Sequence, residues 1–242
     1  MKILFASVGV AFALASLSVL ASGPKLFKEY RYDAQEHEFA NIDAYYDCSE
    51  DVGAPALCID EVGFLSAQFT GVLTFQDEQL RSVSLIAEFS ESLYQQVIAA
   101  LVQKFQLAVL QSDNDRLDLT ALRREISNQS DLTARVSAFE SVALTQGMLT
   151  YAFLDTKNKA SGRAKNVVEL IQQLPEDARE VDLTVGEDAD DSWLTLKFML
   201  PVLQIKQTEQ LLRKRTEVFL MADNVRFIQS NDSRPPQRDN HL

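Results

Sequence analysis

Histidine, cysteine and glycine are all scarce in this chain of 242 residues, and each scarcity removes a class of chemistry. Of the two histidines, His241 is next to the C-terminus, so His37 is the one candidate for an imidazole general base in the body of the chain. No His-Glu-x-x-His run and no paired-cysteine metal motif occurs, and no serine sits in a Gly-x-Ser-x-Gly elbow. Eight glycines are present, with Gly9 and Gly23 at or before the start of the expected mature chain, so phosphate-cradling loops lack their usual material. The basic stretch Thr156 to Lys165 has a single glycine and no Walker-type spacing, and it reads as a solvated loop. The sequence therefore assigns no catalytic, cofactor-binding or metal-binding residue. Catalysis by a pair of carboxylates needs no local motif and stays open.

Positive charge is also in short supply. There are 23 Lys and Arg against 35 Asp and Glu, and removing residues 1–21 takes away Lys2 and no acid, leaving 22 against 35, a net charge of −13. Nucleic acid and anionic membrane surfaces require clustered cations, so neither is expected as a partner. The acidity reads as a solubility feature. The loop Gly186 to Asp191 lacks the spaced ligands and closing glutamate of an EF-hand, so its acids carry no calcium reading.

Residues 1–21 have the pattern of an export signal: a minimal basic start at Lys2, an apolar run from Ile3 to Leu20, and small side chains around Ala21 as the cleavage position. The apolar run is also long enough to span a bilayer, which keeps an uncleaved anchor as the competing reading. If the signal is cleaved, no stable membrane insertion is expected. No cysteine stands near the cleavage point and no twin-arginine pair precedes it. The reading is a periplasmic or secreted protein. In such a compartment Cys48 and Cys58, with nine intervening residues that include Gly53 and Pro55, are expected to form a disulfide. A redox-active pair is disfavoured, since Cys-x-x-Cys spacing is missing and the nearby Asp47, Glu50, Asp51 and Asp60 would raise a thiol pKa.

The remaining patterns predict an α+β fold of antiparallel β-hairpins packed against amphipathic helices. Leu65, Ala67, Phe69, Leu73 and Phe75 alternate with polar residues as a strand, with Val72 the exception. After the turn Gln76 to Gln79 a second strand is expected through Val83, Leu85, Ala87 and Phe89. Ser92 and Gln95 suggest a capping box for a helix whose apolar stripe is Leu93, Val97, Leu101 and Phe105, running to about Leu110 and ended by Ser112 to Asp115. Leu119, Leu122 and Ile126 predict a short second helix, and Leu132 to Glu140 fits helix and strand equally. Strands are expected at Leu149 to Phe153, Val181 to Val185 and Leu194 to Leu200, with a helix at Val167 to Leu174 ended by Pro175. A last helix would start at Thr208 and include Val218 and Phe219, followed by a short strand at Val225 to Ile228 and a disordered tail at 230–242. The segments 64–109 and 181–220 resemble one another in outline but share no residue pattern. The body, 22–229, is one α+β region or two subdomains, about 22–127 and 128–229.

Three functions are compatible with this. The preferred one is an exported, non-catalytic protein that binds a protein partner or small ligand through its sheet or through the aromatic-rich segment 24–47. The others are a hydrolase-type enzyme using Asp or Glu, and a membrane-anchored envelope assembly factor.

Overall fold

Five strands with period-two burial and four helices with a side-chain N-cap account for most of the architecture in the computed structural model, which describes residues 23–155, 164–188 and 191–213. The expected export signal at residues 1–21, most of the basic stretch, Val218 to Ile228 and the expected tail lie outside the described residues. In chain order, β1 (Lys25–Phe27) and β2 (Tyr30–Arg31) form a small hairpin, followed by the one-turn helix α1 (His37–Ala40). Next come β3 (Tyr46–Asp47), the one-turn helix α2 (Ser49–Val52), and three long strands, β4 (Ala56–Phe64), β5 (Ala67–Gln76) and β6 (Gln79–Glu88). Helix α3 (Glu91–Lys104) leads to β7 (Gln106–Gln111), β8 (Arg116–Asp118), α4 (Leu119–Glu125) and α5 (Gln129–Thr145). Strand β9 (Met148–Leu154), α6 (Val167–Gln172), β10 (Glu180–Asp188), β11 (Asp191–Met199) and a helix α7 over 201–213 complete the description.

The fold is α+β. A nine-stranded, fully antiparallel sheet has the order β3-β4-β5-β6-β11-β10-β9-β7-β8, so strands from 22–127 and from 128–229 interleave in one sheet. Two meanders, β4-β5-β6 before α3 and β9-β10-β11 before α7, meet at the β6–β11 seam, and the strand order reads the same outward from either side. The outline likeness of 64–109 and 181–220 is a fragment of this topological duplication.

Alternation explains which face is buried. Phe69, Leu73 and Phe75 on β5, Val83 and Leu85 on β6, Leu194, Leu196 and Phe198 on β11, and Val181, Leu183 and Val185 on β10 share one face and form the main core. Onto it α3 packs Leu93, Val97 and Leu101, and α5 packs Leu132, Val136, Phe139 and Ala143. Each of the buried side chains Leu93, Val97 and Leu101 contributes about 1.5–3 kcal/mol by leaving water. The exception, Val72, points to the opposite face and packs on Cys48, Ala56 and Cys58. The β5–β6 turn is a two-residue loop closed by Gln76 and Gln79, with Asp77 and Glu78 both at positive φ as a type I′ turn requires.

Several boundaries differ from the sequence expectation. The N-cap of α3 is Ser90, whose hydroxyl accepts from the Leu93 amide at 3.2 Å; Ser92 lies inside the first turn. The helix stops at Lys104, because Phe105 takes an extended backbone, and 106–111 is strand instead of helix. Val109 continues the four-residue apolar period of α3, but β7 is buried on both faces, so alternation gave no warning. Ser112 to Asp115 is consequently a β7–β8 turn, with the Asp115 amide donating to the Ser112 hydroxyl. Leu132 to Glu140 is helical within α5, capped by Asn128. Most of the expected loop Gly186 to Asp191 is paired strand, with Asp188 opposite Asp191. Helix α7 begins at Pro201, well placed in a first turn, and Thr208 lies in its interior with its hydroxyl donating to the Gln204 carbonyl.

Candidate functional site

The three ring pairs joining Phe27, Phe64 and Phe198 mark the floor of the largest groove described, about 600 Å³ in volume. Phe27 ends β1, Phe64 ends β4 and Phe198 is near the end of β11, so three distant chain segments converge, with centroids 4.7–6.5 Å apart. The C-terminal half of α3 forms one wall, where Ala99 and Ala100 are small enough to leave it open. The rim carries Lys28 in the β1–β2 turn and Leu65 in the β4–β5 turn, at φ 47° and 53°. A left-handed conformation is uncommon for lysine and an outlier for leucine, and such strain collects at ligand clamps. Leu65 is 47% exposed on that rim.

The charge around this groove is opposite to that of the chain. Lys28, Lys104 and Arg179 line it and no acid does. The Lys28 ammonium is 5.4 Å from the Phe27 centroid and donates to the Gly63 carbonyl, while the Arg179 guanidinium is 5.3 Å from the Phe105 centroid. Lys104 occupies the last turn of α3, where the helix dipole favours a cation. Among the described residues, none of these three cations has a carboxylate partner; the ion pairs are Arg81 with Asp33 and Lys206 with Glu176.

Two other cavities are less suited to a ligand. One of about 330 Å³ is lined by Phe89, Tyr94 and Tyr151, whose hydroxyls are 3.0 Å apart. Burial raises the pKa of both tyrosines, so neither supplies a phenolate base. The other, about 380 Å³, is polar and is lined by Asp33 and Arg81, already paired with each other, beside Tyr32 and α7.

The sheet also carries a carboxylate pair. Glu180 and Asp182 are two apart on β10 and point away from the core face of Val181 and Leu183. Burial among Leu154, Ala152 and Met199 raises both, Glu180 to about 7 with the Asp182 charge adding to it, and Asp182 to about 6 against the pull of Lys197 and Arg116. The Asp182 Oδ1 is buried without a hydrogen-bond partner among the described residues.

Cys48 and Cys58 form the expected disulfide, with Cα atoms 5.8 Å apart, tying the start of α2 to β4. His37 lies exposed on α1 and does not line the groove. The aromatics of 24–47 divide: Tyr30 and Tyr32 are core, Phe27 is both core and groove floor, and Tyr46 is exposed, its hydroxyl donating to Asp60 at 3.1 Å. The groove cations and the carboxylates were not singled out from sequence; the one available signal was that Arg179 and Lys28 each neighbour an apolar strand. Among the described residues there is no cluster of metal-ligating side chains, and no helix is long and apolar enough to cross a membrane. No family model, no curated protein and no solved structure matches the chain.

Proposed function

We propose that this is an exported, non-catalytic binding protein of the periplasm or extracellular space that takes an apolar small molecule into the phenylalanine-floored groove. The observation that carries this is the convergence of Phe27, Phe64 and Phe198 with the exposed Leu65 around an open volume of about 600 Å³, within the range of small-molecule sites. The Cys48–Cys58 disulfide supports an oxidising compartment. Titration with the neutral apolar dye N-phenylnaphthylamine tests the groove. A fluorescence rise with the native protein, lost on Ala100→Trp, is expected; no rise, or a rise that survives the substitution, refutes it. Intact mass of protein from its native host tests export. A mass beginning at Ser22 agrees with it, whereas a full-length chain in the membrane fraction favours the anchored assembly factor.

One observation supports the hydrolase reading: Glu180 and Asp182 are adjacent carboxylates with raised pKa values, a combination that recurs in catalytic sites. Hydrolysis of chromogenic esters or glycosides, abolished by Asp182→Asn, would place that reading first.

A further inference from the structure

Resting on the reading of this groove as a ligand site, we infer that its ligand is a single-chain amphiphile with an anionic head, of the long-chain carboxylate class. The chain lies on the phenylalanine floor and the head sits where α3 ends, between Lys104 and Arg179. The first argument is charge. In a protein with 35 acids and 23 bases, a surface lined by three cations and no acid is selected against the average composition. A neutral ligand would leave that arrangement without a use, and a polyanion would find an apolar floor in place of further cations.

The second argument is geometry. The Arg179 guanidinium carbon lies 5.3 Å from the Phe105 ring centroid, and among the described residues Arg179 has no carboxylate partner. A guanidinium is a planar fork that matches a carboxylate, and Arg is the residue best fitted to that bidentate contact. Lys104 is the residue before Phe105, so its charge is at the same end. Lys28 also lines the groove and donates to the Gly63 carbonyl. The apolar floor beside these cations is what an alkyl chain covers, together with Leu65.

The test is equilibrium dialysis of the purified protein with radiolabelled dodecanoate and with dodecanol, both below their aggregation limits. Dodecanoate is expected to bind at least about ten-fold more tightly, the scale of one charge-assisted contact. Arg179→Gln is expected to bring dodecanoate to within about two-fold of dodecanol, with a urea midpoint like that of the native protein showing that the variant is folded. Ala100→Trp is expected to abolish both. Equal binding of the two ligands, or a preference that survives Arg179→Gln combined with Lys104→Gln, overturns the anionic-head inference and leaves the groove reading standing. Failure of dodecanoate, dodecanol and the dye alike removes both, as does binding that survives Ala100→Trp.

Discussion

Replacing Glu180 with glutamine should stabilise the protein at neutral and alkaline pH and leave it unchanged in acid. In the fold the Glu180 carboxyl titrates at about 7 instead of 4.5, because it is buried on β10 and feels the Asp182 charge two residues away. The native state therefore keeps its proton through an interval in which the unfolded chain has lost it. With more protons bound in the native than in the unfolded state, stability falls as pH rises from about 4.5 to about 7 and then levels off. A displacement of that size corresponds to a loss of about 3 kcal/mol above the interval. Lys197 and Arg116 already offset part of the desolvation, and their attraction is contained in that figure. Urea denaturation of the native protein and Glu180→Gln, at several pH values from about 4.5 to about 8.5, measures the difference directly. The two curves should coincide at the acid end and separate by roughly 3 kcal/mol at the alkaline end, the variant being the more stable. Parallel curves would refute the burial argument. A variant less stable in alkali would show that pairing with Lys197 and Arg116 outweighs desolvation.

Reducing the Cys48–Cys58 disulfide, or replacing both cysteines with alanine, should lower stability by about 2–3 kcal/mol; thiol titration of the denatured, unreduced protein should find no free thiol. Leu101→Ala, at a side chain 4% exposed on the inner stripe of α3, should cost about 2–5 kcal/mol by urea denaturation, and an unchanged midpoint would mean the helix packs another face. The cap assignment separates two serines: Ser90→Ala should cost about 0.5–2 kcal/mol and Ser92→Ala far less, the reverse order restoring the capping box expected from sequence.

What the sequence determined by itself is what local periodicity can encode. Strands β5, β6, β9, β10 and β11 each bury one face, so their alternation was legible, as were the apolar stripes of α3 and α6. The disulfide was legible from the cysteine spacing together with the expected export. Strand β4 was not legible, because a register shift between Ile59 and Val62, with Glu61 at φ 59°, interrupts its alternation and puts two acids in mid-strand. Strand β7 was hidden for the opposite reason, since burial on both faces erases the period. Glu180 and Asp182 looked like the wet face of a half-buried strand; Leu154, Ala152 and Met199, brought alongside by β9 and β11, leave that face only partly exposed. The groove belongs wholly to the tertiary structure. Phe27, Phe64, Phe105, Arg179 and Phe198 are spread over most of the described chain, and each has an ordinary local role as a strand end, turn neighbour or helix cap. A period of two or of 3.6 reports which side of an element leaves water. It carries no record of which distant elements will share the space beyond that side, and the candidate site is made of that sharing.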